Sequence, residues 1–298
     1  CMVSCPFGAI ADKSQIFQLI RALQSGREII AQVAPSSVGQ FGPKVTPEMI
    51  KKALLDLGFS DVYETAIGAD MGAMTEAKHY VEEVATGKLP FLLTSCCPSW
   101  SVLAKKFFPE TIGSISNALT PMVATARKIK ADHPDASVVF VGPCASKKLE
   151  ASRRTVRSDV DFVITFEELA GMFEAKGIFL ETEDEATKIM DATGAGRGYG
   201  VAGGVASAIE ACIKEYYPET EVKIAHAESL SECKKMLMLA KAGKMDGCLI
   251  EGMGCPGGCV AGAGTNIAIP VAQKSVAGFV AAANKPIPDP DVNQGKFE

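Results

Sequence analysis

The chain has little of what several large function classes need. Its three histidines, His79, His133 and His226, lie far apart in sequence. No H-E-x-x-H or G-x-S-x-G stretch occurs, so the zincin and nucleophile-elbow signatures are missing. Positive charge is not in excess: 30 Lys+Arg face 35 Asp+Glu, a net charge of −5. With no basic arm and no RNP-like aromatic run, that balance argues against a nucleic-acid partner. Long apolar runs are also missing. The longest reach roughly six to nine residues, far short of the ~20 that span a bilayer. The first residues show no charged-then-apolar leader. These absences leave a soluble chain without a membrane partner, expected in the cytoplasm.

Cysteine is what the chain has instead. Ten thiols are many for a reducing compartment, where metal or redox chemistry is a better reading than disulfides. Cys212, Cys233 and Cys248 stand alone in helical or strand-like surroundings and read as buried apolar thiols. The other seven fall in four groups, each beside a proline: Cys1 and Cys5, Cys96 and Cys97, Cys144, and Cys255 with Cys259. Adjacent cysteines point in divergent directions. In TSCCPSW (94–100), which also holds the single tryptophan, Cys96 and Cys97 therefore need separate jobs.

Apolar strand-like runs alternate with amphipathic helical ones, which predicts an α/β fold with largely parallel strands. Strands are expected at 28–35, 61–66, 90–95, 136–142, 161–166, 221–227 and 247–252. Helices are expected at 46–57, 71–86, 119–132, 167–175, 203–216 and 229–241. Thr46 before Pro47 is a helix start; Gly177 and Gly243 sit where helices stop. The residues from 281 on are proline-rich and polar and read as an extended tail.

Three cysteine groups occupy equivalent places. PFLLTS runs into CCP, ASVVFVG into PC, and GCLIEGM into GCPGGC. Open parallel sheets bind ligands beyond the carboxyl ends of their strands. Cys97, Cys144, Cys255 and Cys259 can therefore meet at one metal centre. Prolines beside the thiols and glycine turns that bare backbone N–H groups to sulfur suit an iron–sulfur cluster. Zinc fits less well, because only Cys255 and Cys259 approach a paired knuckle. Thiol redox chemistry and plain buried thiols remain alternatives. CMVSCP is C-x3-C-P, the end of the bacterial ferredoxin pattern. Residues 1–14 are thus expected to be the remnant of a ferredoxin-like domain, cut from a longer protein with [4Fe–4S] clusters upstream. GYGVAG (198–203) satisfies G-x-G-x-x-G, but its lead-in ATGAGR is not strand-like. It reads as a glycine turn packing a helix close to the metal site.

TSCCPSW, PCASKKLE (143–150) and EGMGCPGGCVAGAG (251–264) together resemble the three signature segments of the iron-only, or [FeFe], hydrogenases. APSS (34–37) and GVAGGVASA (200–208) fit the same family, and the resemblance runs over roughly residues 1–275. It implies two lobes of mostly parallel twisted sheet flanked by helices, with the iron–sulfur site in the cleft between them. The catalytic domain would be residues 15–280, with lobes of about 15–115 and 116–250 and the C-terminal helix returning to the first. The cofactor implied is the H-cluster, a [4Fe–4S] cubane joined to a diiron unit carrying CO, cyanide and azadithiolate. The reaction implied is reversible two-electron reduction of protons to dihydrogen.

Carried over by register, Cys97, Cys144, Cys255 and Cys259 hold the cubane, and Cys259 bridges to the diiron unit. Cys96 becomes the proton-delivering thiol, with Ser116 and Glu76 as relay groups behind it. Lys147, Pro35 and Ser36 would contact the cyanides, Glu150 would orient its surroundings, and Met253 would pack beside the diiron unit. A ferredoxin or similar carrier would bring electrons, and maturation proteins would supply the diiron unit. The sequence departs from the family at several places. His79 stands where a second relay carboxylate is expected, and Glu83 where a surface arginine is. Gly142 replaces a methionine, residues 262–264 read GAG for three glycines, and Met122 replaces a common glutamine. Two other readings keep the fold: a hydrogen sensor with little turnover, and an iron–sulfur assembly factor that carries only cubanes.

Overall fold

The computed structural model describes residues 6–7, 9–156, 159–182, 189 and 192–292. Cys1 and Cys5 lie outside the described residues, as does the end of the tail from residue 293. Seven strands occur among the described residues: β1 Ile29–Val33, β2 Asp61–Glu64, β3 Phe91–Leu93, β4 Ser137–Gly142, β5 Phe162–Thr165, β6 Lys223–Glu228 and β7 Cys248–Met253. The helices are α1 Ile16–Leu23, α2 Pro47–Leu57, α3 Ala66–His79, α4 Pro98–Phe107, α5 Pro121–Asp132, α6 Ala145–Ala151, α7 Phe166–Lys176, α8 Gly194–Gly198, α9 Gly204–Tyr216, α10 Leu230–Lys241 and α11 Ile269–Ala281. Among them no helix is long and apolar enough to cross a membrane.

Local chemistry sets the ends. Thr46 accepts the Met49 N–H at 3.2 Å, Pro47 opens α2, and Gly58 ends it at φ 111°. Thr165 and Glu168 form a capping box at α7, and Gly177 closes it in the left-handed region. The helix expected at 71–86 begins earlier, at Ala66, and passes into a π turn at Tyr80–Val84.

All the strand pairs are parallel. One sheet has the order β2-β1-β4-β5, the other β3-β7-β6. The division of lobes near residue 115 does not follow this pairing: β4 and β5 join the first sheet, whereas β3 joins β7. Burial explains the difference. Every residue of β1 is buried, as is all of β4 after its first residue, so these two apolar strands take the centre and pair with each other. The short β3 pairs with the first three residues of β7, Cys248–Ile250.

Each sheet is covered by helices. Ile29, Ile30, Val138, Val139, Phe166 and Phe173 belong to the first core. The second sheet separates two cores by period-2 alternation: Leu92 and Leu249 face Val205 and Ile209, whereas Leu93 and Ile250 face Trp100 and Leu237. Helix α11 packs Ala272 and Val276 on Val38, just after β1, and on Val260 of the cysteine loop. The first part of the tail is pinned rather than free, since Gly194 and Ala195 donate to Lys285 O and Pro286 O at 2.9 and 2.8 Å.

Candidate metal centre

Three strand ends deliver the four candidate thiols. Cys97 follows β3 and precedes α4, Cys144 follows β4 and precedes α6, and Cys255 follows β7. Pro98 at the first position of α4 sharpens that turn. The Cys255–Cys259 loop reverses through Gly257 and Gly258, at φ 84° and 91°. A Cβ on Gly258 would meet Ala202 N at 2.4 Å, so only glycine lets the 198–203 turn lie against the loop. That turn follows the short helix α8, and its backbone is held by Ala202 N–H to Gly257 O and Val260 N–H to Gly200 O, both 3.1 Å. Across the site, Gly254 N–H donates to Cys97 Sγ at 3.4 Å.

The four thiols share one electrostatic neighbourhood, because every pair among them interacts. Burial, and then the neighbouring sulfurs, push Cys144 and Cys259 upward and Cys255 up to about 11. Among the described residues no three His, Cys, Asp or Glu side chains converge closely enough for one metal ion. The four sulfurs are electrostatic neighbours without that closer convergence.

Cys96 is a close neighbour of Cys97 and Cys259. Its carbonyl accepts Lys147 Nζ at 3.2 Å, and Lys147 also pairs with Glu150 at 2.7 Å. Lys147 and Glu150 are only 8% and 3% exposed. Burial works against the ammonium charge, but the Glu150 carboxylate and the Cys144 and Cys96 sulfurs outweigh it and hold the lysine above its usual value. Ser99 and Ser146 share a 2.7 Å hydrogen bond that ties α4 to α6.

Behind Cys96 lies Glu76 of α3, 1% exposed. Its Oε1 accepts the Ser95 N–H at 3.1 Å. Burial pushes its carboxyl up to about 7 against the pull of hydrogen bonds from Ser116 and Ser95. Burial and the nearby Glu76 raise the Cys96 thiol well above its usual value. A neutral thiol thus stands near a carboxyl that burial raises to about 7. Ser116 Oγ accepts the Ala118 N–H at 3.1 Å and keeps its own proton for Glu76. Three residues beyond Glu76, His79 Nδ1 is buried with no partner among the described residues. Glu83, in the π turn, is tied to Lys88 at 3.1 Å.

Pro35, Ser36 and Ser37 form a 3-10 turn directly after β1. Ser36 is fully buried and its hydroxyl has no partner among the described residues. Met253 is buried at the end of β7, in the core that Cys96 and Cys97 pack against. At Gly142 a Cβ would lie 2.4 Å from the Phe140 ring, so that ring covers the place a larger side chain would need. In the GAG segment, Gly262 and Gly264 are fixed by close approach to Pro143 O and Thr165 Cβ, both 2.3 Å from an added Cβ. Ala263 lies between these two constrained positions.

Sequence reasoning passed over Glu251. Fully buried on β7, it accepts Gly203 N–H at 2.8 Å and Ala206 N–H at 2.7 Å. Gly203 has no side chain with which to cap α9, and Glu251 supplies the cap from the neighbouring element. Burial raises its carboxyl, and the Ala206 and Gly203 bonds pull back. A carboxylate inside the apolar run CLIEGM was the available signal, because a buried charge requires partners. Trp100, also fully buried, donates to Thr94 O at 3.1 Å. Its ring lies so close to Gly252 that a Cβ there would approach it to 2.1 Å.

Residues 27–263 match the family of the iron-only hydrogenase large subunit, C-terminal domain. The chain belongs to this family. It is 31% identical over 310 residues to iron hydrogenase 1 of Clostridium pasteurianum, covering 87% of this chain and 54% of that protein. The chain spans about half the length of two curated hydrogenases it matches, 54% of each. It is also 29% identical over 154 residues to the cytosolic Fe-S cluster assembly factor NAR1 of Meyerozyma guilliermondii, covering 45% of this chain and 29% of that protein. In fold it is similar to apo [FeFe]-hydrogenase HydA1 from Chlamydomonas reinhardtii, variant C377H, with a TM-score of 0.78, 22% identity, and coverage of 94% and 93% of the two chains. The family's fold, parallel sheets flanked by helices, is the one described above.

Proposed function

We propose that this chain is the catalytic domain of an iron-only hydrogenase that reduces protons to dihydrogen, and runs the reaction in reverse, at an H-cluster. The observation that carries this reading is the set of four thiols, Cys97, Cys144, Cys255 and Cys259, beyond three strand ends, with Cys96 and the buried Glu76 beside them in a chain of this family.

The residues present fit the cofactor. Cys97, Cys144, Cys255 and Cys259 would hold the cubane, and Cys259 would also bridge to the diiron unit. The unpartnered Ser36 hydroxyl, with Pro35, and the buried Lys147 ammonium suit anionic cyanide ligands. Glu150 keeps Lys147 charged and aimed. Met253 gives an apolar wall. When bound, the H-cluster supplies the electrons and the iron at which dihydrogen forms.

The chain's own work is to hold and move protons. Ser116 donates to Glu76, and Glu76 hands a proton on to Cys96. The thiol releases its own proton toward the diiron side as it takes up the new one. Because Cys96 stays neutral between transfers, it leaves no buried charge behind. His79 would feed this path from outside. Electrons would come from a ferredoxin or similar carrier, and maturation proteins would deliver the diiron unit.

The second reading is a hydrogen sensor. It draws on the outer path, where Glu83 is tied to Lys88 and supplies no positive group. The assembly-factor reading draws on the likeness to NAR1. Cys96→Ala separates catalysis from both. It should leave iron content unchanged and lower turnover at least ~10²-fold, the scale of a positioned acid–base group. Unchanged turnover at equal iron content would remove Cys96 from the path.

A further inference from the structure

Ser229 is the one non-glycine residue with a positive φ among the described residues. Its φ of 73° and ψ of 147° fall in a region that is essentially glycine's own. Such strain persists only where surrounding contacts over-determine it, and it gathers at functional sites. Glu232 supplies those contacts here. Its N–H donates to Ser229 Oγ at 3.4 Å, which caps α10, and its Oε2 accepts the Glu228 N–H at 3.2 Å. The strained link thereby fixes the backbone of Glu228, the last residue of β6.

Glu228 stands opposite Met253, the last residue of β7, in the parallel register. Just beyond Met253 lies the Cys255–Cys259 loop. From the neighbouring strand, Glu228 Oε2 accepts the Gly257 N–H at 2.6 Å. Gly257 is two residues from each of the two thiols. Its carbonyl is held from another side by Ala202 N–H at 3.1 Å, so separate elements clamp both of its backbone polar groups. The residues beside it have no N–H to spare. Pro256 lacks one, and the Gly258 N–H goes to Cys255 O at 3.2 Å. The N–H that Glu228 takes is therefore the one this stretch could otherwise aim at a sulfur.

We infer that Glu228 is a positioning residue for the cubane, clamping the Cys255–Cys259 loop and holding the cluster's reduction potential down. The inference rests on the reading that the four thiols hold a cubane. Reduction adds negative charge to a cluster, and a carboxylate close to its ligand loop opposes that. An N–H donated to cluster sulfur would ease reduction, and Glu228 keeps the Gly257 N–H from that use. Both effects lower the potential. The clamp also acts on retention, because groups that orient metal ligands from behind change affinity by about 10- to 100-fold.

The test is a dithionite titration of the rebuilt cubane, followed by electron paramagnetic resonance, with no diiron unit added. It compares wild type with Glu228→Gln, Glu228→Asp and Glu228→Ala. Glu228→Gln keeps an acceptor for Gly257 N–H and loses the charge. It should keep its iron and favour the reduced cluster roughly tenfold at a fixed potential, an upward shift of ~59 mV for one electron. Glu228→Asp keeps the charge and should stay near the wild-type potential. Glu228→Ala loses charge and acceptor, so its potential should rise at least as far and a chelator should strip its iron about tenfold faster. Unmoved potentials in Glu228→Gln and Glu228→Ala, with the cubane intact, overturn the inference alone. An equal shift in Glu228→Asp and Glu228→Gln also overturns it, since packing rather than charge then sets the potential. Wild-type protein that rebuilds no four-iron cluster overturns the four-thiol reading and the inference together.

Discussion

Glu251 offers the sharpest test of how the metal site is built. Its two oxygens accept Gly203 N–H at 2.8 Å and Ala206 N–H at 2.7 Å. Hydrogen bonds to a charged group contribute ~1.5–3 kcal/mol each. Glu251→Ala removes both and leaves two N–H groups without acceptors at the start of α9. Relief of the buried charge offsets part of that loss. The net cost should be about 3–5 kcal/mol. Glu251→Gln keeps one acceptor oxygen but turns an amide N–H2 toward the other donor, for about 2 kcal/mol. Urea unfolding of the cluster-free protein measures both. The order wild type, Gln, Ala should also hold for cubane retention, because Gly203 belongs to the turn that Gly258 packs against. An alanine cost below about 1 kcal/mol would refute the reasoning and show that water replaces the carboxylate.

Two more predictions follow from buried charges. Burial raises Asp70 to about 6, so the folded state binds that proton more tightly than the unfolded chain does. Its contribution should therefore favour folding most below pH ~4 and fall by about 3 kcal/mol as pH rises through ~6; urea midpoints across this window should drop, and Asp70→Asn should flatten the drop. Lys147→Met strands the Glu150 carboxylate, which is 3% exposed, and should cost about 3–5 kcal/mol. A double-mutant cycle with Glu150→Gln should recover part of it, and simple additivity would show that the pair is not coupled.

Much of this was legible in the sequence because the governing forces are local or periodic. The strands β1, β4 and β7 announce themselves as apolar runs, and Thr46, Pro47 and Gly177 mark helix ends by backbone chemistry alone. The placement of Cys97, Cys144 and Cys255 at strand ends was readable for the same reason. Pairing between distant strands was not. β3 takes β7, far along the chain, as its partner, and no neighbouring residue reports that. The polar contacts of the site were hidden likewise. Glu251 caps a helix 45 residues away. Arg197 makes a two-pronged ion pair with Glu64 at 2.9 and 2.8 Å across 133 residues.

The central claim is that the four-thiol site and the Cys96–Glu76 path together make dihydrogen. The most direct measurement is hydrogen release from reduced viologen by anaerobically purified protein, with its cubane rebuilt and a synthetic diiron precursor added. The account predicts sustained release, with carbonyl and cyanide infrared bands showing the diiron unit in place. Those bands without hydrogen release would contradict it.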